Sequence, residues 1–276
     1  MANTVLITGA SSGIGLASAK LFFEKGWNIV ATMRAPEKDT ELKQLDPARM
    51  LVLRLDVQDL ASIAPAVDAA LAKFGTIDVL LNNAGYGQFG VFEMTSREKV
   101  QEQFDVNIFG LMDVTRAVLP HFRKNKKGGI INVSSGAGHF ALPMTTMYCA
   151  SKFALEGFTE ALAFELASQN VFVKSVVPHG GVTSTNFSER LMVSAANDPR
   201  FDQDYDAFVQ KTVEYLKKMG TAQTMDSIDV AQVIFEAATD GSDRLRYMVG
   251  DDKRGFIKAR YPKDDQEYVA FMREFF

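Results

Sequence analysis

Hydrophobic positions along this chain fall into short runs separated by longer helical patterns. Six runs are rich in Val, Ile and Leu and alternate little with polar residues, at 4–8, 27–33, 50–57, 77–83, 129–135 and 171–178. Such runs are typical of strands that are covered on both faces of a sheet. A seventh strand is expected at 246–250.

Helical patterns connect these strands, at 13–25, 59–74, 96–124 and 148–168. Strands that alternate with helices in this way form right-handed βαβ units. The pattern therefore predicts an α/β fold with a doubly wound, parallel, seven-stranded sheet and helices on both of its faces.

The segment 183–224 interrupts the alternation. It contains two amphipathic helical stretches, NFSERLMVSA and YDAFVQKTVEYLKKMG, separated by ANDPRFDQD. Helices inserted after the sixth strand lie near the carboxyl ends of the strands, where ligands bind in such sheets. We predict one catalytic domain spanning residues 1–276, with a small helical substrate cap at about 183–224.

Composition and charge restrict the classes of function. Hydrophobic residues make up 47% of the chain, and the net charge is −4 with a pI of about 5.5, which argues against nucleic-acid and anionic-membrane partners. The single cysteine, Cys149, excludes an intrachain disulfide framework. No apolar run reaches eighteen residues and no leader is visible, so we expect a soluble, cytoplasmic protein.

A glycine-rich turn, TGASSGIG at 8–15, joins the first strand to the first helix. Gly9, Gly13 and Gly15 allow a tight turn and a close approach to a diphosphate, and the helix N-terminus presents unpaired N–H groups. The spacing lacks the G-K-[ST] ending of a triphosphate loop. We interpret the turn as a dinucleotide site, the alternative being a merely structural turn.

The end of the second strand bears on the choice of cofactor. A carboxylate there would bind the ribose 2′-hydroxyl of NAD, but the chain has Met33 and Arg34. Arg34 can pair with a phosphate in bidentate fashion, and Ser11 or Ser12 can add a hydroxyl. These residues favour NADP(H) over NAD(H), although an exposed arginine at a strand end is the simpler alternative.

The stretch YCASK places Tyr148 and Lys152 four residues apart, on one face of a predicted helix. An ammonium group beside a phenol lowers the phenol pKa from roughly 10 and makes it a usable general acid or base. The spacing alone does not distinguish a catalytic pair from a chance Y-x-x-x-K.

Four motifs occur together in order: TGASSGIG, NNAG at 82–85, VSS at 133–135, and YCASK. In this order and spacing they resemble the short-chain dehydrogenases/reductases over residues 3 to 182, and most of all the carbonyl reductases and the hydroxysteroid- or retinol-dehydrogenase-like members. The resemblance implies a Rossmann-type fold and a nicotinamide cofactor.

The resemblance also implies a catalytic tetrad. Tyr148 matches the general acid/base, and Lys152 matches the residue that lowers the tyrosine pKa and binds the nicotinamide ribose. Ser135, thirteen residues before Tyr148, matches the serine that polarises the substrate carbonyl, with Ser134 as its rival. Asn107 matches the helical asparagine that holds a water in the proton relay, and its structural alternative is a helix kink.

Cofactor contacts follow from the same resemblance, with Asp56 expected at the adenine amino group. One departure is His179, which stands where the family usually has a glycine after Pro178, so the contacts of the next residues stay open. The residues expected at the cofactor are Gly9, Ser11, Ser12, Gly13, Ile14, Gly15, Arg34, Asp56, Val57, Asn83, Ala84, Gly85, Tyr148, Lys152, Pro178, Gly180, Val182 and Thr183.

Large, soft side chains near the cap are candidates for the substrate pocket, with burial of the cap helices as the alternative role for each. The candidates are Tyr86, Gln88, Phe89, the loop 136–147 with His139, Leu142 and Met144, then His179, Phe187, Leu191, Met192 and Phe208. Such a lining suits an apolar or aromatic ketone or aldehyde, steroid- or retinoid-like in size.

These inferences predict an NADP(H)-dependent carbonyl reductase that needs no metal, because the cofactor carries the hydride chemistry. An NAD-dependent alcohol or hydroxysteroid dehydrogenase and a non-catalytic nucleotide-sensing regulator are the alternatives. The resemblance implies a homodimer or homotetramer formed through the helices at 96–124 and 148–168. The aromatic C-terminus covers the subunit's own core, completes a neighbour's pocket or closes an interface, and the sequence does not choose among these.

Overall fold

The strands form one parallel sheet in the order β3-β2-β1-β4-β5-β6-β7. The computed structural model describes residues 2–179, 181–182, 203–222, 225–252, 255–261, 267–268, 271 and 274. The strands are β1 (Thr4–Ile7), β2 (Asn28–Met33), β3 (Met50–Arg54), β4 (Val79–Asn82), β5 (Gly128–Val133), β6 (Val171–Pro178) and β7 (Arg246–Val249). All seven predicted strands are confirmed, most of them one to three residues shorter than expected.

Helices connect the strands as predicted, with one interruption. The helices are α1 (Gly13–Glu24), α2 (Leu60–Phe74), α3 (Arg97–Phe104), α4 (Leu111–Asn125), α5 (Thr146–Ala167), α6 (Asp206–Ala222), α7 (Ser227–Thr239) and α8 (Phe256–Arg260). The helix expected at 96–124 is divided by a π-helical segment, Asp105–Gly110. No helix in the described part of the chain is long and apolar enough to cross a membrane.

Helices α7 and α8 were not predicted from the sequence. A recognisable start marks α7, because the side chain of Asp226 and that of Asp229 form a reciprocal capping box. Its buried residues Val230, Ile234 and Ala237 also recur at helical spacing. Both features can be recognised in the sequence and identify this helix.

Two hydrophobic cores cover the two faces of the sheet, which confirms the doubly wound arrangement. On one face α1 and α7 pack on the strands, with Phe22 meeting Trp27 edge to face at a ring distance of 5.1 Å. On the other face α2, α4 and α5 contribute residues such as Val67, Phe122 and Leu162. The strand order reverses between β1 and β4, and ligands bind at such a switch point.

The segment predicted as a cap is described in part. Its second helical stretch forms α6, and just before it the Tyr205 hydroxyl donates to Glu93 Oε2 at 2.8 Å. Val182 forms an isolated parallel bridge with Met225. The first helical stretch, with Phe187, Leu191 and Met192, lies outside the described residues, as do Gly180 and Thr183. The single-domain interpretation stays a prediction.

Candidate active site

The glycine-rich turn packs closely against the residues that follow β4. A Cβ on Gly9 would lie 2.9 Å from Ala84 Cα, and one on Gly15 would lie 2.3 Å from the Gly9 carbonyl oxygen. The Asn83 side chain donates to the carbonyls of Thr8 (2.9 Å) and Gly9 (3.1 Å). The glycines are therefore required by close backbone approach, and the NNAG strand end supports the turn.

Helix α1 begins in this turn, and neither a capping side chain nor an acidic residue of its first turn offsets the positive end of the helix dipole. Its N-terminal residue Gly13 has a φ of +56°, and the preceding Ser12 makes no side-chain cap hydrogen bond. The first turn of α1 carries no acidic residue. Ser11 and Ser12 are exposed, while Ile14 packs partly against the core. A glycine-lined cradle beside an uncapped helix N-terminus fits the diphosphate of a dinucleotide.

The residues expected at the adenosine end lie at the same carboxyl edge of the sheet. Arg34 directly follows β2 and is exposed. Asp56 lies two residues beyond β3, where its Oδ1 accepts from the Gln58 N–H at 3.1 Å and so orders the turn. Val57 is buried against Gly110, at which a Cβ would meet the Val57 carbonyl oxygen at 2.4 Å.

Asn107 lies in the π-helical segment and is fully engaged. Its Oδ1 accepts from the Tyr86 N–H at 3.0 Å, and its Nδ2 donates to the Tyr86 carbonyl (2.9 Å) and to Ser151 Oγ (3.0 Å). The buried amide has found the partners that burial requires. This geometry is compatible both with a structural helix kink and with a role of Asn107 beside the site.

Ser135 and Tyr148 are neighbours across the base of the loop 136–147. Burial raises the pKa of Tyr148 above its ordinary value, and a hydrogen bond with the Ser135 side chain acts in the opposite direction. Ser135 Oγ also accepts from the Ala137 N–H at 3.2 Å. The Ser134 side chain instead faces Glu156. The structure therefore places Ser135, and not its rival, beside the tyrosine.

Lys152 is buried one helical turn after Tyr148. Its Nζ donates to the Val133 carbonyl at 2.9 Å and lies 5.9 Å from the centre of the Tyr148 ring. Burial lowers the pKa of Lys152 to about 8, while the charge of Glu156 raises it. Burial dominates the pKa of Tyr148 in this structure and the Lys152 ammonium is directed at Val133, so the lowering of the tyrosine pKa by Lys152 stays a prediction.

Two histidines proposed for the substrate pocket lie in the interior instead. His139 is 5% exposed, with Nδ1 2.6 Å from the Tyr261 hydroxyl and Nε2 3.6 Å from Glu156 Oε2. His179 is also buried, and its N–H donates to the Val249 carbonyl at 2.9 Å. Burial lowers the pKa of both imidazoles. His179 thus packs in the interior, as its alternative role predicts, and His139 is buried in the same way.

The other pocket candidates are scattered. The Tyr86 side chain lies beside Glu102 and Asp105, where burial and then these charges raise its pKa. Phe89 and Met144 are buried, Gln88 and Leu142 are half-buried, and Phe208 is exposed. Pro178 ends β6 and pairs with Val249. Val182, three residues after His179, forms the isolated bridge with Met225.

The described C-terminal residues cover the subunit's own loop. The Ala141 N–H donates to the Tyr268 hydroxyl at 3.4 Å, and the rings of Phe140 and Phe256 lie 5.1 Å apart. Phe271 in turn meets Phe256 at 6.4 Å. This part of the C-terminus packs on its own subunit, while a contribution to a neighbour's pocket or to an interface stays a prediction.

Two contributors were missed by sequence reasoning. Thr8 Oγ1 accepts the N–H groups of Asn83 and Ala84, both at 3.0 Å, and its place in the glycine motif was a readable indication. The buried Glu156 forms an ion pair with the partly exposed Arg246. The separation of these two residues along the chain left no local pattern to read.

A parallel sheet of this order, with a glycine cradle at its switch point and a Ser–Tyr–Lys cluster beside it, defines a dinucleotide-dependent oxidoreductase architecture. Residues 3–193 match the family model of the short chain dehydrogenases. The chain belongs to the short-chain dehydrogenase/reductase family and is an oxidoreductase of that family.

Curated relatives cover most of the chain. An uncharacterised oxidoreductase of Schizosaccharomyces pombe is 40% identical over 243 residues, covering 88% of this chain and 98% of the relative. A 3-ketodihydrosphingosine reductase of Bacteroides thetaiotaomicron is 37% identical over 78% of this chain and 77% of its own. Retinol dehydrogenase 8 of Bos taurus is 35% identical over 88% of this chain and 80% of its own.

Solved structures share the fold. A short-chain dehydrogenase from Streptomyces avermitilis has a TM-score of 0.78 at 30% identity, covering 99% of this chain and 92% of its own. A family member from Burkholderia phymatum in complex with NAD has a TM-score of 0.79 at 25% identity, covering 95% and 97%. ElxO with NADP bound has a TM-score of 0.73 at 24% identity, covering 90% and 97%. Structural neighbours thus bind either dinucleotide.

Proposed function

We propose that this chain reduces an apolar or aromatic ketone or aldehyde to an alcohol, with NADP(H) as the preferred cofactor. The observation that carries the proposal is the hydrogen bond between Ser135 and Tyr148, with the Lys152 ammonium 5.9 Å from the tyrosine ring. A carbonyl oxygen placed between two such hydroxyls receives two hydrogen bonds as its negative charge develops.

The residues present fit a nicotinamide dinucleotide. The cradle of Gly9 and Gly15 and the uncapped start of α1 suit its diphosphate, and Asp56 lies beyond β3 for the adenine. The exposed Arg34 directly after β2 supports a 2′-phosphate, because no carboxylate precedes it in β2. The bound cofactor would supply the hydride.

The protonation states suit a reductive direction. Because burial raises the pKa of Tyr148, its phenol stays protonated at neutral pH and can donate a proton to the carbonyl oxygen. Ser135 orients the phenol through their hydrogen bond. Lys152 is assigned to the nicotinamide ribose. The side chain of Asn107 is engaged by Tyr86 and Ser151, so we assign it to holding these residues in place beside the proposed relay water.

An apolar substrate is supported by the surroundings of the site and by the relatives. Phe89 and Met144 adjoin the loop that follows Ser135, with the Gly90 N–H donating to the Met144 carbonyl at 2.8 Å. Two relatives carry the names retinol dehydrogenase and 3-ketodihydrosphingosine reductase. Those names refer to an apolar alcohol and a ketone respectively, which supports a carbonyl compound of that character here.

The proposal is tested by initial rates of NADPH and NADH consumption against aliphatic, aryl, retinoid-like and long-chain ketones and aldehydes. Tyr148→Phe should lose at least about a hundredfold in turnover and keep its NADPH affinity, since the variant removes only the acid. Tyr247→Phe, which loses a hydroxyl hydrogen bond to Asp240 at the start of β7 and lies outside the proposed site, is the matched control. Cofactor binding without turnover in every class would favour the sensor alternative, and turnover only from alcohols with NAD⁺ the dehydrogenase alternative.

The cofactor preference has its own test. Arg34→Ala should weaken NADPH binding by about tenfold or more and leave NADH binding unchanged, because only the 2′-phosphate is affected. Arg54→Ala, which removes a nearby exposed arginine paired with Asp59, is the control. Equal losses for both cofactors would contradict the assignment.

We also propose that two copies pair through the α4 and α5 side of the molecule. Three aromatic side chains are exposed there, with Phe109 49%, Phe153 42% and Phe164 74% accessible. Between the two on α5, Gly157 faces open space, which leaves room for a partner helix. Light scattering should show a dimer or tetramer that Phe164→Glu disrupts. A monomer in the unmodified protein would refute the proposal.

A further inference from the structure

A carboxylate is buried one helical turn from the candidate catalytic lysine. Glu156 lies one helical turn after Lys152 on α5, and its side chain is 8% exposed. Ser175 Oγ donates to its Oε1 at 2.6 Å, and Arg246 Nε donates to its Oε2 at 2.7 Å. The cluster therefore joins α5 to β6 and β7, close to the site but outside the proposed tetrad.

Glu156 is ionised in this environment. Burial acts to raise its pKa, but the nearby Ser134 hydroxyl and the hydrogen bonds from Ser175 and Arg246 outweigh burial and hold the pKa below its ordinary value. A carboxylate that accepts several hydrogen bonds keeps its charge even when buried. Glu156 thus contributes a full negative charge to the interior beside Lys152.

Arg246 does not neutralise this charge by itself, because it serves two carboxylates. Its second guanidinium nitrogen donates to Glu160 Oε2 at 2.6 Å, one turn further along α5. His139, which lies 3.6 Å from Glu156, adds no compensating charge at neutral pH because burial lowers its pKa. Arg246 is thus shared between two carboxylates, and Lys152, one helical turn from Glu156, is a second buried cation, whose pKa the Glu156 charge raises.

The hydrogen bond that Lys152 makes does not supply a counter-charge. Its Nζ donates to the neutral carbonyl of Val133, the residue before Ser134, which faces Glu156. Burial lowers the pKa of Lys152 to about 8, and Glu156 is the group whose charge raises it. A Cβ on Gly138 would lie 2.9 Å from the Lys152 carbonyl oxygen and 3.0 Å from Glu156 Cγ, so the loop that follows Ser135 rests on this helical turn.

We propose that Glu156 is the buried counter-ion of Lys152 and a positioning residue for the pair Tyr148 and Lys152. Its charge keeps the ammonium in place at the site, and its anchoring by Ser175 and Arg246 fixes that charge relative to the sheet. The catalytic consequence rests on the proposed function, whereas the coupling between the two side chains does not.

The coupling is tested by a titration that needs no substrate. In protein labelled with ¹³C at lysine Cε, the Lys152 resonance is identified by its loss in Lys152→Met, and its pKa is followed by NMR. In Glu156→Gln the pKa of Lys152 should fall by at least about one unit, because the two buried charges lie one helical turn apart in an interior of low dielectric constant. Glu156→Met, of similar size, is a second charge-removing variant should the first fail to fold.

Glu160→Gln is the matched control, since it removes a carboxylate from the same helix and the same arginine, at a half-exposed position further from Lys152. It should leave the Lys152 pKa within a few tenths of a unit. Glu156→Asp, which keeps the charge, should restore most of the shift. An unchanged Lys152 pKa in the charge-removing variants, or an equal fall in Glu160→Gln, would overturn the inference.

Kinetics then separate this inference from the proposed function. With a substrate in hand, the alkaline limb of the kcat profile should move to lower pH in Glu156→Gln by the shift that the titration shows, and should not move in Glu160→Gln. A shifted lysine resonance in a protein without turnover would retain the inference and reject the reductase proposal. A shifted resonance with an unmoved limb would limit Glu156 to a structural role and overturn the positioning part.

Discussion

Asn107 binds both backbone polar groups of Tyr86, through its Oδ1 at 3.0 Å and its Nδ2 at 2.9 Å. The side-chain amide thereby imitates a neighbouring strand for the residue that follows the NNAG motif. Because Nδ2 also reaches Ser151, one residue joins the end of β4 to the first turns of α5. The π-helical segment widens the helix where this amide must point inward.

We expect Asn107→Ala to lower the free energy of unfolding by about 3 kcal/mol, because it leaves the Tyr86 N–H and the Ser151 hydroxyl short of a partner in a buried region. Urea denaturation measures the change. Asn107→Asp keeps the acceptor for the Tyr86 N–H but replaces the donor to the Tyr86 carbonyl by a buried oxygen, and should lose at least as much. Gln101→Ala, on the exposed side of α3, should stay within about 0.5 kcal/mol. An Asn107→Ala variant as stable as the Gln101 control would show that the contacts contribute nothing.

Gly15→Ala should damage the cradle. Its Cβ would lie 2.3 Å from the Gly9 carbonyl oxygen and 2.5 Å from Asn83 Nδ2, and neither the backbone nor the doubly bonded amide can move away freely. We expect a loss of about 2 kcal/mol in the free energy of unfolding, as for overpacking elsewhere. The NADPH dissociation constant, measured by fluorescence titration, should rise.

Lys20→Ala is the control for this change, since it removes an exposed side chain from the same helix, where Lys20 pairs with Glu41. It should leave both quantities close to those of the unmodified protein. If Gly15→Ala proved as stable and bound NADPH as tightly as this control, the close approach of α1 to the NNAG strand end would be wrong.

Asp240 should make stability depend on pH. Partial burial acts to raise its pKa, but hydrogen bonds from Lys174, Tyr247 and Ser242 hold it well below its usual range. A carboxyl whose pKa is depressed by folding stabilises the protein above its unfolded pKa of about 3.9 and loses that contribution as the pH falls towards the folded pKa. The stabilisation is therefore fully present at pH 7 and declines below about pH 4.

Asp240→Asn should accordingly cost about 2 kcal/mol at pH 7, less than at a fully buried pair, because Asp240 is partly open to water while Lys174 is buried. Guanidinium denaturation at pH 7 and at pH 3 measures the difference, which should shrink at the lower pH. Asp68→Asn, at an exposed position on α2, should change neither value. A cost that is the same at both pH values would contradict the ionic origin.

Much of the site could be predicted because its residues belong to local motifs. Gly9, Gly13 and Gly15 lie in one turn, and Tyr148 and Lys152 share one helical face, so chain geometry alone places each set together. The choice between Ser134 and Ser135 was less secure. Alternate residues of an extended segment point to opposite sides, and the structure shows which side faces Tyr148.

The amino-acid sequence by itself determined the strands, most of the helices and the positions of the family motifs, since periodicity and local backbone chemistry act over a few residues. Only the tertiary structure decided that His139 is an interior residue, that Lys152 faces Val133, and that the buried Glu156 pairs with the partly exposed Arg246. These contacts join residues far apart in the chain. They exist because parallel strand register and helix packing bring them together, and the pKa values that matter for chemistry follow from that burial.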